Sequence, residues 1–307
     1  MRISSNTIYQ SGLNNMQDLQ ASIYKLTMQI DNQQRVVTPA DDPVAAARIL
    51  LLNQSQGQNS QYITNTQAVS SWLSLSETAV KSSSDLMASM KSLAISAGSG
   101  ALSSTELQAI QKQLQEGITE LTTYANSTDG RGNYLFSGNK TDTVPYVVSL
   151  SAVPPATYQG DTGQRSVQIS ASQQMTISDP GSTVFGTPGG SATAAFDALL
   201  QLNTLLGQNP KPANFGTQLN SAINAIDSAQ QQFSLSLASI GARGQQNDNM
   251  QNVGGSLKLQ YASSIGDLQD LDMPQAISDF TLAQTSLKYS QLTYNKVTQL
   301  SLFNYIS

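Results

Sequence analysis

The 307 residues include no cysteine and no histidine. Disulfide frameworks, thiol chemistry, His-ligated metal centres and Ser-His or Cys-His nucleophiles are therefore excluded outright. Charge is scarce too. Fifteen basic and 20 acidic residues make up 11% of the chain, against roughly 25% in an average soluble protein, and Ser, Gln, Asn and Thr take their place. Helices with neutral polar faces repel one another little, which suits a chain that lies beside copies of itself. A net charge of −5 and a pI near 4.6, with no basic stripe, argue against nucleic-acid binding. Long apolar runs are missing: stretches such as Ile49 to Leu52 are far too short to span a bilayer, and Met1 to Gln10 has no signal-peptide h-region. By these signals alone the protein reads as cytoplasmic.

What the chain does have is an apolar seam at heptad spacing near each end. Met16, Leu19, Ile23, Leu26 and Ile30 alternate by three and four, skip Gln33 and resume at Val37. Ala276, Phe280, Ala283, Leu287, Ser290, Tyr294, Val297 and Ser301 repeat the pattern. Such a repeat puts one apolar stripe on one side of a helix, so each terminal segment needs a partner helix along its length. Leu300, Leu302, Phe303 and Ile306 lie mostly off that stripe and suggest a tail that meets neighbours.

Between the ends, the first helix is expected from near Ser4 to about Val36, because Pro39 pushes Thr38 out of helical geometry. Asp41 or Asp42 can cap a second helix that has Pro43 at its first position. A seam through Tyr62, Val69, Trp72, Ala79, Leu86, Met90 and Leu93 carries it to Ala97. At ~1.5 Å per residue that helix is ~80 Å long, which predicts a rod. Gly98 to Gly100 breaks it, Ser103 and Glu106 form a capping box, and Leu107, Ile110, Leu114, Leu121 and Tyr124 mark a return helix. From Tyr134 to about Gly190 the period shortens to two, with short strands at Val144 to Leu150, Ala156 to Tyr158, Val167 to Ser170 and Met175 to Ser178. Helical signals return at Ala192 to Leu206. Another seam runs from Leu219 to Leu268 despite Gly241, Gly244, Gly254 and Gly255, and Asp272 caps a last helix. The fold class is mainly α with a small β insertion. Three parts are expected: 1–40 with 273–307 as a terminal helical coiled-coil domain, 41–133 with 191–272 as a helical bundle, and 134–190 as a β-rich domain.

No constellation of catalytic groups emerges. The Gly132 to Thr141 stretch misses the P-loop spacing, and Asp267, Asp270 and Asp272 follow no EF-hand pattern, so capping explains them better. Glu116 and Glu120 form a like-charge pair with no nucleophile beside them. Three Asn-x-Ser/Thr sequons, at Asn53, Asn126 and Asn139, are expected by chance in so Asn-, Ser- and Thr-rich a chain. The chain is read as a non-enzyme that needs no cofactor or metal.

The start Met1 to Gln10, the segment Arg35-Val-Val-Thr-Pro-Ala-Asp-Asp-Pro-Val-Ala-Ala-Ala-Arg48 and the ending Leu300 to Ser307 resemble the flagellar hook-associated protein 3 family. Asn133 to Gly138, Tyr158 to Asp161, Ile240 to Arg243 and Asp267 to Asp272 look like its internal landmarks. The resemblance implies a flagellin-like rod with paired terminal helices lining an inner tube, a long-helix bundle and an outer β domain. It also implies a thin ring of identical subunits between hook-associated protein 1 and flagellin, outside the cell, built after unfolded export through the flagellar type III apparatus. A cysteine-free chain suits such threading. An export chaperone would bind the apolar C-terminal segment. Neither nucleic acid nor membrane insertion belongs to this picture. The assembly interface would be Met16, Leu19, Ile23, Leu26, Ile30, Phe280, Leu287, Tyr294, Val297, Leu300, Leu302 and Phe303. The nearest rival is a flagellin, which shares the plan of paired ends and an inserted middle. A cytoplasmic coiled-coil scaffold is a second rival, and it would carry charged e and g positions that this chain lacks.

Overall fold

The computed structural model describes residues 5–99, 102–187 and 190–306. The chain is mainly helical with a small β insertion. In order come α1 (Ser5–Asn32), α2 (Pro43–Ala97), α3 (Ser104–Ala125), β1 (Tyr146–Val148), β2 (Ala156–Tyr158), β3 (Ser166–Ser170), β4 (Gln173–Thr176), α4 (Gly181–Val184), α5 (Ala194–Leu206), α6 (Phe215–Gln269) and α7 (Met273–Ile306). They form two compact units, one of Met1–Asn59 with Ser256–Ser307, the other of Ser60–Gly255.

The first helix stops four residues short of the expected Val36. Gln33 takes a left-handed φ of 56°, Gln33 N donates to Ile30 O and Gln34 N reaches back to Gln29 O at 3.0 Å. This is the paired closure of a Schellman motif, built on glutamine instead of glycine. Val37, read as the resumption of the seam, therefore lies outside the helix. Val36 turns inward instead, into a small core with Ala45 and Ile49.

The second helix begins as expected. Asp42 Oδ1 accepts from Ala45 N at 3.0 Å, three residues on, and Pro43 occupies the first helical position, where a missing N–H costs nothing. Ser103 and Glu106 close the capping box on α3 in both directions. Gly241, Gly244, Gly254 and Gly255 do not interrupt α6, because a glycine in a helix costs only about 1 kcal/mol against alanine and Ile240 and Asn247 among them are buried.

In the 60–255 unit α2 and α6 run antiparallel: Leu219 lies against Gly98, Lys91 pairs with Asp227, and Asn247 Nδ2 donates to Thr66 O at 2.9 Å. Their apolar faces join α3, α5 and the strands in one core. The strands are two separate antiparallel hairpins, β1 with β2 and β3 with β4. The first strand is shorter than expected, three residues instead of seven. Its neighbour on the other side is a side chain: Asn126, just past the end of α3, accepts from Tyr146 N and donates to Tyr146 O, both at 2.9 Å.

Aromatic residues are few, yet six of them meet here. Tyr146 lies 5.1 Å from Tyr158, 5.4 Å from Phe185 and 4.8 Å from Phe196, and Phe185 in turn contacts Phe136 and Phe233. The cluster bonds the β insertion to α5 and α6. Polar ties reinforce it. Asn65 Nδ2 donates to Gln168 O at 2.7 Å, and Arg243 pairs with Asp179 while donating to Thr176 O. Arg165 lies 4.3 Å above the ring of Trp72, a cation held over an aromatic face.

Candidate assembly interface

The terminal seams find each other. In the unit of Met1–Asn59 with Ser256–Ser307, α1 packs antiparallel against α7: Tyr9 meets Tyr294 edge to face at 6.2 Å near one end, and Gln34 forms a bridge with Asp270 near the other. Met16, Leu19, Ile23, Leu26 and Ile30 are each half-buried, as are Phe280, Leu287, Tyr294 and Val297, while Ala276 and Ala283 are fully buried. The alternation read from sequence is thus the alternation of burial. Sequence reasoning missed its continuation: Tyr9 and Gly12 extend the same three-four spacing toward the start of the chain, and Gly12 is the hole beneath Tyr294. The spacing 9, 12, 16 was there to be read, but a glycine carries no apolar signal.

Residues of the pair that face away from the seam stay in water. Tyr24 is 69% exposed, Leu282 66% and Tyr289 65%, and Leu13, Met28, Ile277 and Leu292 join them. So many large apolar groups exposed on two helices form an unusual surface for an isolated pair. The seam residues are consumed within the chain, and this second set is the apolar surface that the pair leaves open. A groove of about 630 Å³ beside Gly12, Asn15, Tyr289 and Tyr294 continues it. The side chains of Leu300, Leu302 and Phe303 lie outside the described residues.

The far end of the pair is tied by polar groups from the segments that carry the resemblance. Arg35 N donates to Gln269 O at 2.7 Å, its guanidinium donates to Leu268 O at 2.8 Å and pairs with Asp42 at 3.1 Å, and Gln29 Nε2 donates to Arg35 O. Asp41 is not the helix cap. Its Oδ2 gathers Val37 N, Thr38 N and the Thr38 hydroxyl, and its Oδ1 pairs with Lys25 of α1 at 3.0 Å. The Thr38 amide, with the Lys25 ammonium next, lowers the Asp41 pKa to about 2. Asp272 caps α7 through Gln275 N. In the 60–255 unit two further landmarks, Asn133 to Gly138 and Tyr158 to Asp161, also touch: the Tyr158 hydroxyl lies 2.9 Å from Phe136 O and 2.8 Å from Asp161 O, and Asp161 Oδ1 accepts from Asn139 N.

Among the described residues no cluster of three or more His, Cys, Asp or Glu could hold a metal, and no helix is long and apolar enough to cross a membrane.

Paired terminal helices around an inserted middle define the class, and residues 3–141 match the bacterial flagellin N-terminal helical region. The more particular likeness extends over the whole chain. It is 27% identical over 319 residues to flagellar hook-associated protein 3 of Escherichia coli and 27% identical over 320 to that of Salmonella typhimurium, each match covering 99% of both chains. Among solved structures, a putative flagellar hook-associated protein from Vibrio parahaemolyticus shares the fold at a TM-score of 0.68 and 24% identity, over 75% of this chain and all of the other. Flagellar hook-associated protein 3 from Legionella pneumophila does so at 0.65 and 18%, over 72% and 98%. Over nearly its whole length, then, the chain is similar in sequence to flagellar hook-associated protein 3, and solved hook-associated proteins share its fold.

Proposed function

We propose that the chain is the subunit of the thin layer that joins hook to filament, meeting hook-associated protein 1 on one side and flagellin on the other. The observation that carries the reading is the α1–α7 pair, which satisfies its own seam yet leaves Tyr24, Leu282 and Tyr289 in water. Such a pair is stable enough to form and too apolar outside to stay alone. Residues 1–40 and 273–307 act as the assembly domain, and the ring is made of identical copies. The chain passes the type III apparatus unfolded, with a chaperone on its apolar C-terminal segment, and works outside the cell.

Deleting the gene tests this. Hooks that end in hook-associated protein 1, without filaments and with flagellin shed into the medium, are the expected result; normal filaments would refute it. A flagellin role is separated by polymerisation on seeds. A junction subunit stops at a thin layer, whereas a filament subunit keeps growing.

A further inference from the structure

We propose that the β3–β4 hairpin is a lid on α2 and α6, closed by apolar packing and opposed by the buried guanidinium of Arg165, so that it opens while the rest of the 60–255 unit stays folded. Lid and seat lie wholly within that unit, and the device does not depend on the terminal helices. Among the described residues three side-chain atoms are buried without a hydrogen-bond partner: Arg165 Nε, Arg165 Nη2 and Asn247 Oδ1. They share one neighbourhood. Arg165 lies over Trp72 and Asn247 Nδ2 donates to Thr66 O, so both border residues 66–72 of α2, about two turns of helix. One residue earlier, Asn65 ties the hairpin down through Gln168 O.

Apolar packing closes the lid. Ile169 of β3 and Met175 of β4 are 2% and 3% exposed and join Val69 of α2 in the core. Arg243 of α6 adds its pair with Asp179 and its bond to Thr176 O. Arg165 works against them. In water its guanidinium can donate from all five N–H groups, but with the hairpin seated Nε and Nη2 donate to nothing. Asp129, whose charge acts on Arg165, is committed to Arg131 N, Asn133 N and Asn133 Nδ2 at 2.9, 3.0 and 2.8 Å. Burial pushes the Arg165 pKa below its ordinary value, the mark of a cation held away from water. The indole face of Trp72 offsets this only in part, because a cation over a ring gains less than two unpaired donors of a charged group forfeit.

The opposing effects are close in size. Burying a side chain the size of isoleucine or methionine gains about as much as one unpaired donor on a charged group costs. A segment balanced in this way opens locally, whereas α3, with Leu114 and Leu121 fully buried and its cap closed in both directions, opens only with the whole unit. Lifting the hairpin returns Arg165 to water and uncovers Trp72.

Hydrogen–deuterium exchange of the full-length chain, read by mass spectrometry on peptides from residues 164–178 and from α3, tests this. In the wild type the hairpin should exchange far faster than α3. Arg165→Met keeps a stem of similar length over Trp72 and removes the unpaired charge, so it should slow exchange across β3 and β4 by roughly ten-fold and leave α3 unchanged. Asn65→Ala removes a closing tie and should speed hairpin exchange several-fold. Were Arg165 only a structural support, Arg165→Met would speed exchange or unfold the unit, which circular dichroism would show. Either result, or exchange equal to that of the wild type, overturns the proposal, as does a wild-type hairpin that exchanges as slowly as α3. Asn65→Ala indistinguishable from the wild type overturns the tie to α2 and the lid with it.

Discussion

Tyr294 crosses α1 at Gly12, so closely that a β-carbon added at position 12 would stand 3.2 Å from its ring. The glycine is the hole for a knob on the facing helix. Gly12→Ala asks the ring to give by a few tenths of an ångström, whereas Gly12→Val forces it aside. We expect Gly12→Val to destabilise the α1–α7 pair by about 1–3 kcal/mol, the usual cost of overpacking, and Gly12→Ala to come out near neutral, its smaller strain set against the roughly 1 kcal/mol of helix propensity it gains. Thermal unfolding followed by circular dichroism reads the difference, and equal melts for all three chains would contradict the packing described.

The Asp41 carboxylate should make stability sensitive to acid. Its pKa is about 2 in the folded chain against an ordinary 3.8, so the folded state binds this proton less readily than the unfolded one. The stability it contributes is fully present above about pH 4 and is lost as the pH falls toward 2. Asp41→Asn should lower the melting temperature at pH 7 and flatten its decline between pH 4 and 2. The two chains converge at low pH if the account is right, and a parallel decline would rule it out.

Asn126 serves as a strand of one residue, donating to Tyr146 O and accepting from Tyr146 N. Asn126→Asp keeps the shape and the acceptor but loses the donor, leaving the Tyr146 carbonyl facing a carboxylate. A lost partner at a buried group costs about 1–3 kcal/mol. Urea unfolding should show the midpoint reduced with an unchanged slope, since no surface is newly exposed.

Gly138 sits at φ 73°, and a β-carbon there would come within 2.5 Å of the Asp161 carbonyl oxygen. Both the backbone conformation and the space require glycine. Gly138→Ala should cost at least about 1–2 kcal/mol from the left-handed backbone alone, with the collision added. Chemical denaturation measures it. Gly130, with φ 76° and open space around it, is the control and should cost the backbone part only.

Much of this was legible in the sequence because the signals were local. The heptad seams of α1 and α7, the Ser103–Glu106 box, the Pro43 start and the Asp272 cap all act within a few residues, and the structure repeats them. The end of α1 was not legible, because Gln33 in a left-handed conformation follows from the meeting of Gln34 with Asp270, two positions far apart in the chain. The shortness of β1 has the same origin, a partner that is a side chain rather than a strand. Most consequential was the outer face of the terminal pair. Tyr24, Leu282 and Tyr289 fall at positions that heptad reasoning assigns to solvent, so only the three-dimensional pairing reveals how much apolar surface is left over.

Trp72 is the chain's single tryptophan, and Arg165 of the β3 segment lies over its ring. Its fluorescence is therefore a one-channel report on whether the β3–β4 hairpin is seated on α2. Emission will shift when that hairpin lifts, whatever happens at the terminal helices, so docking of the β insertion and pairing of the chain ends can be timed separately during folding.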